Sequence, residues 1–553
     1  MKYTPLALLA AAAFGAAAAA QQPARPFDLL ITNARIIDGT GGPSVTGSVG
    51  VRDGRIAGVG RVSGPALRTI DAGGKVLAPG FIDPHSHSDF SLLTDGNAES
   101  KIRQGVTTEV IGESGSAAPQ KPSATRAWSD FAGYFAALET SKISVNLLSY
   151  VGLGQVREFV MGNDDREPTP DELAKMTAAV ADAMKQGAYG TATGLIYTPN
   201  AYAKLPELIA LSRPAAAAGG LYVSHLRYDG DKWREGIQEA IDVGEGAHLP
   251  VQILHLKITG AKNFGRMKDA IALIAAAQKR GVEISANQYP YVASSTGLIQ
   301  TIPPWAHEGG NAKLVARLKD PVTRERIRKE MDDPNPTWEN RLLSAGTWHN
   351  VQIASLPART GTDTGYKRFE GWRVDDAAKE MGRDPYDFVF EMLIANGGSV
   401  SCVWFIIDES DLKLAMQQPW VSVGSDGSAL AVSGPLRTGV PHPRNFGTFP
   451  RVLGKYVREE HVITLEQAIH KMSGLTASQL HIADRGLIKD GLAADLVILD
   501  PATVADRATF TDPFQYPVGI PTVIVNGRVV LDEGRHTGAR PGIVIHGKGW
   551  AAR

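Results

Sequence analysis

From residue 76 onward the chain alternates between two textures. Apolar runs of strand length recur at 76–85, 107–113, 143–152, 187–195, 221–227, 251–257, 282–290 and 420–426. Between them lie alanine-rich stretches with apolar residues at helical spacing, such as 171–187 and 269–281. Parallel strands buried on both faces read as near-continuous apolar runs, and each needs a long crossover, usually a helix, to reach the next. Eight such units predict a TIM-type (β/α)8 barrel, whose chemistry sits on the loops after the C-terminal ends of the strands. The stretch 291–419 is too long for one crossover. It predicts an insertion before the last barrel strand, over about 296–419, helical in character and lying over the site.

The two ends of the chain have a third texture. "FDLLITNARIIDG" (27–39) and "GSVGVRDGRIAGVG" (47–60) are short β-like runs broken by Asp-Gly and Gly turns, and "GLIKDGLAADLVILD" (486–500) and "PTVIVNGRVVLDEGR" (521–535) repeat the pattern. Asn526–Gly527 is a hairpin signal. The expected architecture is therefore α/β: a barrel over 76–482 and one small β-sandwich assembled from 21–75 and 483–553.

Composition narrows the partners. The 553 residues are 43% hydrophobic, enough for a large core, and the net charge is −1 with the two signs well mixed. No basic stripe invites nucleic acid, so a small-molecule or peptide-like substrate is expected. The opening "MKYTPLALLAAAAFGAAAAAQQ" reads as a secretory signal over 1–20, with Lys2 as its charged end and alanines before Gln21 as the cleavage site. The mature protein is expected to be exported, periplasmic in a Gram-negative cell, and free of membrane once the signal is removed. Cys402 is the only cysteine, so no intrachain disulfide can form.

The polar residues at the strand ends carry the chemistry. His85 and His87 close the first strand two residues apart, and strand alternation sends both to one side. Alone, a His-x-His pair also fits a surface turn. His225 and His255 end the fifth and sixth strands thirty residues apart, about one βα repeat, and Asp426 ends the eighth, beside the first once a barrel closes. Four imidazoles and a carboxylate converging on one mouth predict a metal site. Two cations 3.5–4 Å apart need an anion between them, and Glu113, at the end of the second strand, is placed for it. Glu109 has the same parity but lies deeper. The fourth strand, "YGTATGL", has no lysine to serve as a carbamylated bridge. Lys257, two beyond His255, is placed to meet a substrate carboxylate. Asp89 is left outside the site.

With those residues in view, "PGFIDPHSHSD", "HLK", "GSDG", "HPRNFGTFPRVLGKYVREE" and "DPFQYPVGIPTVIVNGRVVLDEGRHTGARPG" resemble the N-acyl-D-amino-acid deacylases (D-aminoacylases) of the metal-dependent amidohydrolase superfamily. The resemblance covers nearly all of the mature chain. It implies one or two Zn2+ ions, with His85 and His87 at one position, His225 and His255 at the other, and Asp426 as the essential carboxylate. It also implies that Tyr197, Lys257, Tyr289 and Ser295 bind substrate. One departure stands out: where the family pattern has a cysteine ligand in an "NCG" triplet, this chain has Ser114 in "ESG". A serine hydroxyl is a poor zinc ligand, and Glu113 fits the variant of the branch that uses a carboxylate there.

The ligand set and the resemblance together imply hydrolysis of N-acyl-D-amino acids, or of dipeptides ending in a D-residue, with the D-preference resting on the resemblance. Metal-activated water attacks the amide, Asp426 serves as general base and then acid, and Tyr197 helps to hold the oxyanion. Arg444, in "HPR", is a further candidate for a carboxylate, and a structural ion pair is its other role. Two alternatives remain at this level: a cyclic amidase of hydantoinase or dihydroorotase type, and a periplasmic metal-binding protein without catalysis.

Overall fold

The computed structural model describes residues 25–357 and 365–551. The expected signal segment and its cleavage point lie outside the described residues. Among the described residues, no helix is long and apolar enough to cross a membrane.

The strands of the barrel are parallel and follow one another in chain order. Phe81–Asp83, Val106–Ile111 and Asn146–Ser149 pair in that sequence. After Tyr150 the third strand continues as Val151–Gly152, and Gly190–Gly194, Leu221–His225, Val251–Ile253, Ile284–Gln288 and Val421–Val423 follow it in one sheet. The first and eighth strands meet at their C-terminal ends. Asp426 N donates to His85 O at 2.8 Å, and His87 N donates to Gly427 O at 3.0 Å. Helices such as Pro170–Lys185, Trp233–Ala247 and Met267–Lys279 cover the outside. Their amphipathic faces bury Met176, Val180, Ile237, Ile241 and Ile274 in the same core as strand residues Val251 and Ile284.

The paired strands are shorter than the apolar runs that predicted them. The sixth pairs only over Val251–Ile253 and the eighth only over Val421–Val423. Periodicity cannot detect where the chain bends out of a sheet, and here it bends just before the polar residues. His255 (φ +36°), Asp426 (φ +51°) and Ser114 (φ +52°) all adopt left-handed backbone, which is uncommon for residues other than glycine. The first expected run divides as well. Val76–Pro79 pairs with Phe27–Ile36 and Leu496–Leu499, so it belongs to the small sheet, and the first barrel strand begins at Phe81.

Both chain ends build that small β domain. Its nine strands run Arg535–His536, Arg528–Asp532, Thr522–Val525, Leu496–Leu499, Val76–Pro79, Phe27–Ile36, Val45–Arg52 and Arg55–Gly60, with Ala66–Asp71 also pairing with Phe27–Ile36. Leu29, Ile31, Val49, Leu77, Leu496 and Ile524 share one buried cluster drawn from both termini. Asn526 and Gly527 both have positive φ, as the tight hairpin between Thr522–Val525 and Arg528–Asp532 requires. Residues 541–551, counted with the terminal β piece from sequence, instead run onto the barrel. Leu147 N donates to Ile543 O, and Gly547 N donates to Gly187 O.

The insertion is not purely helical. It holds a three-stranded antiparallel sheet of Ser294–Gly297, Ser401–Trp404 and Val351–Ser355, packed with helices around a core of its own that includes Leu298, Phe388, Phe390 and Trp404.

Candidate metal centre

The polar residues at the strand ends converge on one point. His85, His87, Glu113 and Asp426 place a ligand atom each within 4.8 Å of one another, and so do Glu113, His225 and His255. Glu113 belongs to both groups and divides its oxygens between them. Oε2 lies 2.6 Å from His85 Nε2 and 3.2 Å from His87 Nε2, while Oε1 lies 3.0 Å from His225 Nδ1. Asp426 closes the other side, with Oδ1 2.9 Å from His87 Nε2 and 3.5 Å from His85 Nε2, and Oδ2 3.9 Å from His255 Nε2. The two histidines of the first strand differ in setting: the His85 side chain is 2% exposed and that of His87 is 40% exposed. Their segment has left the sheet, so strict alternation no longer governs it.

Electrostatics suits a cation here. Burial would raise the Glu113 carboxyl, but the charge on His85 and hydrogen bonds from His225, His85 and His87 outweigh it and hold it well below the usual carboxylate range. Burial likewise opposes ionisation of Asp426, and Arg444 and His85 reverse that. Enclosure disfavours charge on His87, yet its bonds to Asp426 and Glu113 push it up to about 10, so the carboxylates draw positive charge to this spot. His255 is driven well below its ordinary value by burial and by the neighbouring Lys257 and His225, which leaves a neutral imidazole, the form that ligates metal. His255 Nε2 and His225 Nδ1 face each other at 3.0 Å. Four imidazoles with a shared carboxylate and a second acid form a donor set that fits a pair of divalent ions.

Local sequence explains the placement. Asn287, on the seventh strand, accepts from His255 N through Oδ1 at 2.8 Å and so holds the left-handed bend. Gly194 ends the fourth strand. A side chain there would meet the Tyr197 ring at 2.6 Å and Ser114 Cβ at 2.8 Å. The fourth strand therefore has no room for a bridging side chain, and Glu113 from the second strand occupies the shared position. Ser114 packs on this side against Gly194.

Of the residues the resemblance assigned to substrate, Tyr289 and Ser295 both lie against Arg444. The Tyr289 hydroxyl is buried without a hydrogen-bond partner, and Arg444 lies over its ring, 5.1 Å from the centroid. Arg444 Nη2 donates to Ser295 O at 3.3 Å and Nη1 to Asp426 Oδ2 at 2.6 Å. Tyr197 sets its ring 5.2 Å from that of His225 and shares a 2.9 Å hydrogen bond with Thr296 Oγ1. Lys257 is engaged differently: Nζ sits 2.9 Å from His255 Nδ1 and 2.9 Å from Asp229 Oδ2. Asp229 in turn receives Arg341 at 2.6 and 3.0 Å. Burial and the Arg341 charge lower the lysine's pKa while Asp229 opposes them.

Asp229 and Arg341 escape sequence reasoning because they are 112 residues apart and meet only across the fold. Proximity to His225 in "HLRYD" is the one hint for Asp229. Glu109 accepts from Ser86 and Ser88 and joins neither ligand group. Asp89 is buried and also lies outside both groups.

Residues 68–248 and 387–531 match the amidohydrolase family model. The chain is 35% identical over 539 residues to the D-aminoacylase of Alcaligenes xylosoxydans xylosoxydans, covering 95% of this chain and 99% of that one. It is 33% identical over 531 residues to the N-acyl-D-glutamate deacylase of the same organism, covering 94% and 96%. The crystal structure of the N-acyl-D-glutamate deacylase from Bordetella bronchiseptica, complexed with zinc and a phosphonate that mimics the tetrahedral intermediate, superimposes with a TM-score of 0.80 at 33% identity, covering 94% of this chain and all of that one. A full-length match together with a carboxylate shared by two histidine pairs leads to one placement: this chain is a hydrolase of the amidohydrolase family, in the branch that contains the D-aminoacylases.

Proposed function

We propose that the protein is a zinc-dependent deacylase that cleaves the amide bond of N-acyl-D-amino acids, or of dipeptides with a C-terminal D-residue, releasing a D-amino acid and a carboxylate. The observation that carries this reading is Glu113 lying between the two histidine pairs with Asp426 opposite. Bound there, zinc would supply Lewis acidity, lowering the pKa of water and polarising the scissile carbonyl. His85 and His87 would hold one ion, His225 and His255 the other, with Glu113 between and Asp426 beside the first.

This chain's own groups supply the rest. With Asp426 Oδ2 committed to Arg444, Oδ1 is the oxygen that takes the proton of the attacking water and delivers it to the leaving nitrogen. Arg444 keeps that carboxyl ionised, so it enters the reaction as a base. The Tyr197 hydroxyl, now on Thr296, is within the site to donate to a developing oxyanion. The substrate α-carboxylate goes to the Tyr289 hydroxyl, Ser295 and Arg444. Lys257 acts through His255, whose Nδ1 it faces, as well as through charge. The acyl part extends past Tyr197, whose neighbours Ile196 and Thr198 line a cavity of about 780 Å3 that Trp305 and Trp338 also border. Export to the periplasm after cleavage near Gln21 belongs to the same reading, and N-terminal sequencing of the secreted chain tests it.

Purified enzyme with measured zinc content is assayed on paired N-acetyl-D- and N-acetyl-L-amino acids. Turnover of the D-series is expected. Turnover confined to the L-series or to cyclic amides overturns the reading.

A further inference from the structure

The first and eighth strands meet over a buried cluster that the mechanism above does not use. Lys101 lies on the short helix Glu99–Ile102 and is fully enclosed, at 0% exposure. Its ammonium donates to Asp83 Oδ2 at 2.7 Å, Ser425 Oγ at 2.9 Å, Gly427 O at 2.9 Å and Ser86 Oγ at 3.1 Å, with Glu109 Oε2 at 3.5 Å. Three N–H bonds meet five oxygens, so the group is saturated.

The identity of those partners gives the cluster its meaning. Asp83 and Ser86 bracket His85 in sequence, and Ser425 and Gly427 bracket Asp426. The same residues also tie the two strands to each other. Asp83 Oδ1 accepts from Ser425 N at 2.9 Å, and Ser425 Oγ donates to Asp83 Oδ2 at 2.5 Å and accepts from Gly427 N at 3.0 Å. Asp426 between them has φ +51°, backbone that an L-residue holds only when its surroundings fix it.

We propose that Lys101, through Asp83, Ser86, Ser425 and Gly427, is a positioning residue that sets Asp426 and the His85/His87 pair in register with each other. One ammonium spans both strands, so its loss frees both sides of the ligand group at once. Stability alone does not call for such a cluster, because apolar residues of similar volume commonly serve a core as well as a buried ion pair does. Two carboxylates, Asp83 and Glu109, face the single ammonium behind the ligands. The inference rests on the metal-site reading of His85, His87 and Asp426 but not on the choice of substrate.

The test uses the full-length enzyme with Lys101→Met and, because that variant can fail to fold, Ser425→Ala, which removes one hydroxyl and leaves every charge in place. Each is loaded with cobalt(II) and compared with the wild type by visible absorption, by metal affinity against a competing chelator, and by kcat and KM at equal metal content. Positioning predicts an altered cobalt spectrum, affinity at the His85/His87 group lower by about 10–100-fold, and kcat lower by at least about tenfold with KM within about threefold. A folded variant of either kind with the wild-type spectrum, affinity and kcat overturns the proposal; if Lys101→Met does not fold, Ser425→Ala decides alone. Should the wild type hydrolyse no N-acyl-D-amino acid, the functional reading fails while the cobalt spectra still decide this one.

Discussion

His85 and His87 lean mainly on the barrel. Their supports are Asp83, Ser86, Ser425 and Gly427, on or just beyond the first and eighth strands, and Lys101 on the helix Glu99–Ile102, and the charges among them are fully buried. His225 and His255 lean on a chain that leaves the barrel. From His255 it passes to Lys257, then to Asp229, then to Arg341 on the helix Arg341–Ala345 of the insertion. Glu339 closes that chain, and burial pushes its carboxyl up to about 7, with the Asp229 charge adding to the rise and Arg341 opposing it. One half of the site is thus fixed by the barrel's own closure, and the other by how the insertion docks. Among the described residues only Glu113 belongs to both ligand groups, so damage to each support should reach a different pair of histidines.

The largest effect is expected where the chemistry passes through one atom. Asp426→Asn should lower kcat by about 10³-fold in enzyme that keeps its metal at His225 and His255; turnover within tenfold of wild type would show that another group carries the proton. Asp229→Asn breaks the insertion-side chain, leaving buried Lys257 without its counter-ion and Arg341 with Glu339 alone, a loss of about 3–5 kcal/mol readable by urea unfolding. Metal titration of this variant should show weakening at the His225/His255 group and little change at the His85/His87 group. Equal weakening at both would erase the distinction between the supports.

Glu113→Gln removes the carboxylate that belongs to both ligand groups. Both affinities should fall, by more than about 100-fold, since even outer partners of metal ligands are worth 10–100-fold. Metal counting after gel filtration checks this, and two ions retained at wild-type affinity would assign the bridge elsewhere. The smallest effect belongs to Glu339. Its pKa is raised in the folded state from 4.5 to about 7, so folded protein binds the proton more tightly than unfolded protein. That contribution is fully present below pH 4.5 and is lost as pH rises through 7. Glu339→Gln should therefore flatten the fall in stability between pH 5 and 8 and leave the variant more stable at pH 8 by roughly 1–3 kcal/mol. Unfolding curves at several pH values measure it, and an unchanged slope would place the titration on another group.

Much of the fold and of the ligand set was legible in the order of residues. Eight apolar runs with helical spacers, β-like pieces at both ends and the Asn526–Gly527 turn all depend on local period and turn chemistry. The histidines and Asp426 could be singled out because each stands at the polar end of an apolar run, and Glu113 because a pair of cations needs an anion on a neighbouring strand. What local pattern could not reveal is the bend that ends a strand. Lys257, which its place two beyond His255 offers to a substrate carboxylate, follows a left-handed turn at His255 and lies 2.9 Å from Asp229 Oδ2.

The sequence by itself therefore determined the barrel, the small domain assembled from both termini, and the residue types that can hold metal, because each of these follows from periodicity and chemistry within a few residues. Tertiary structure alone decided which of those groups are held and by what. Lys101 meets Ser425 across 324 positions, and Asp229 meets Arg341 across 112. Contacts of that span arise from closing the barrel and docking the insertion, and no local period encodes them.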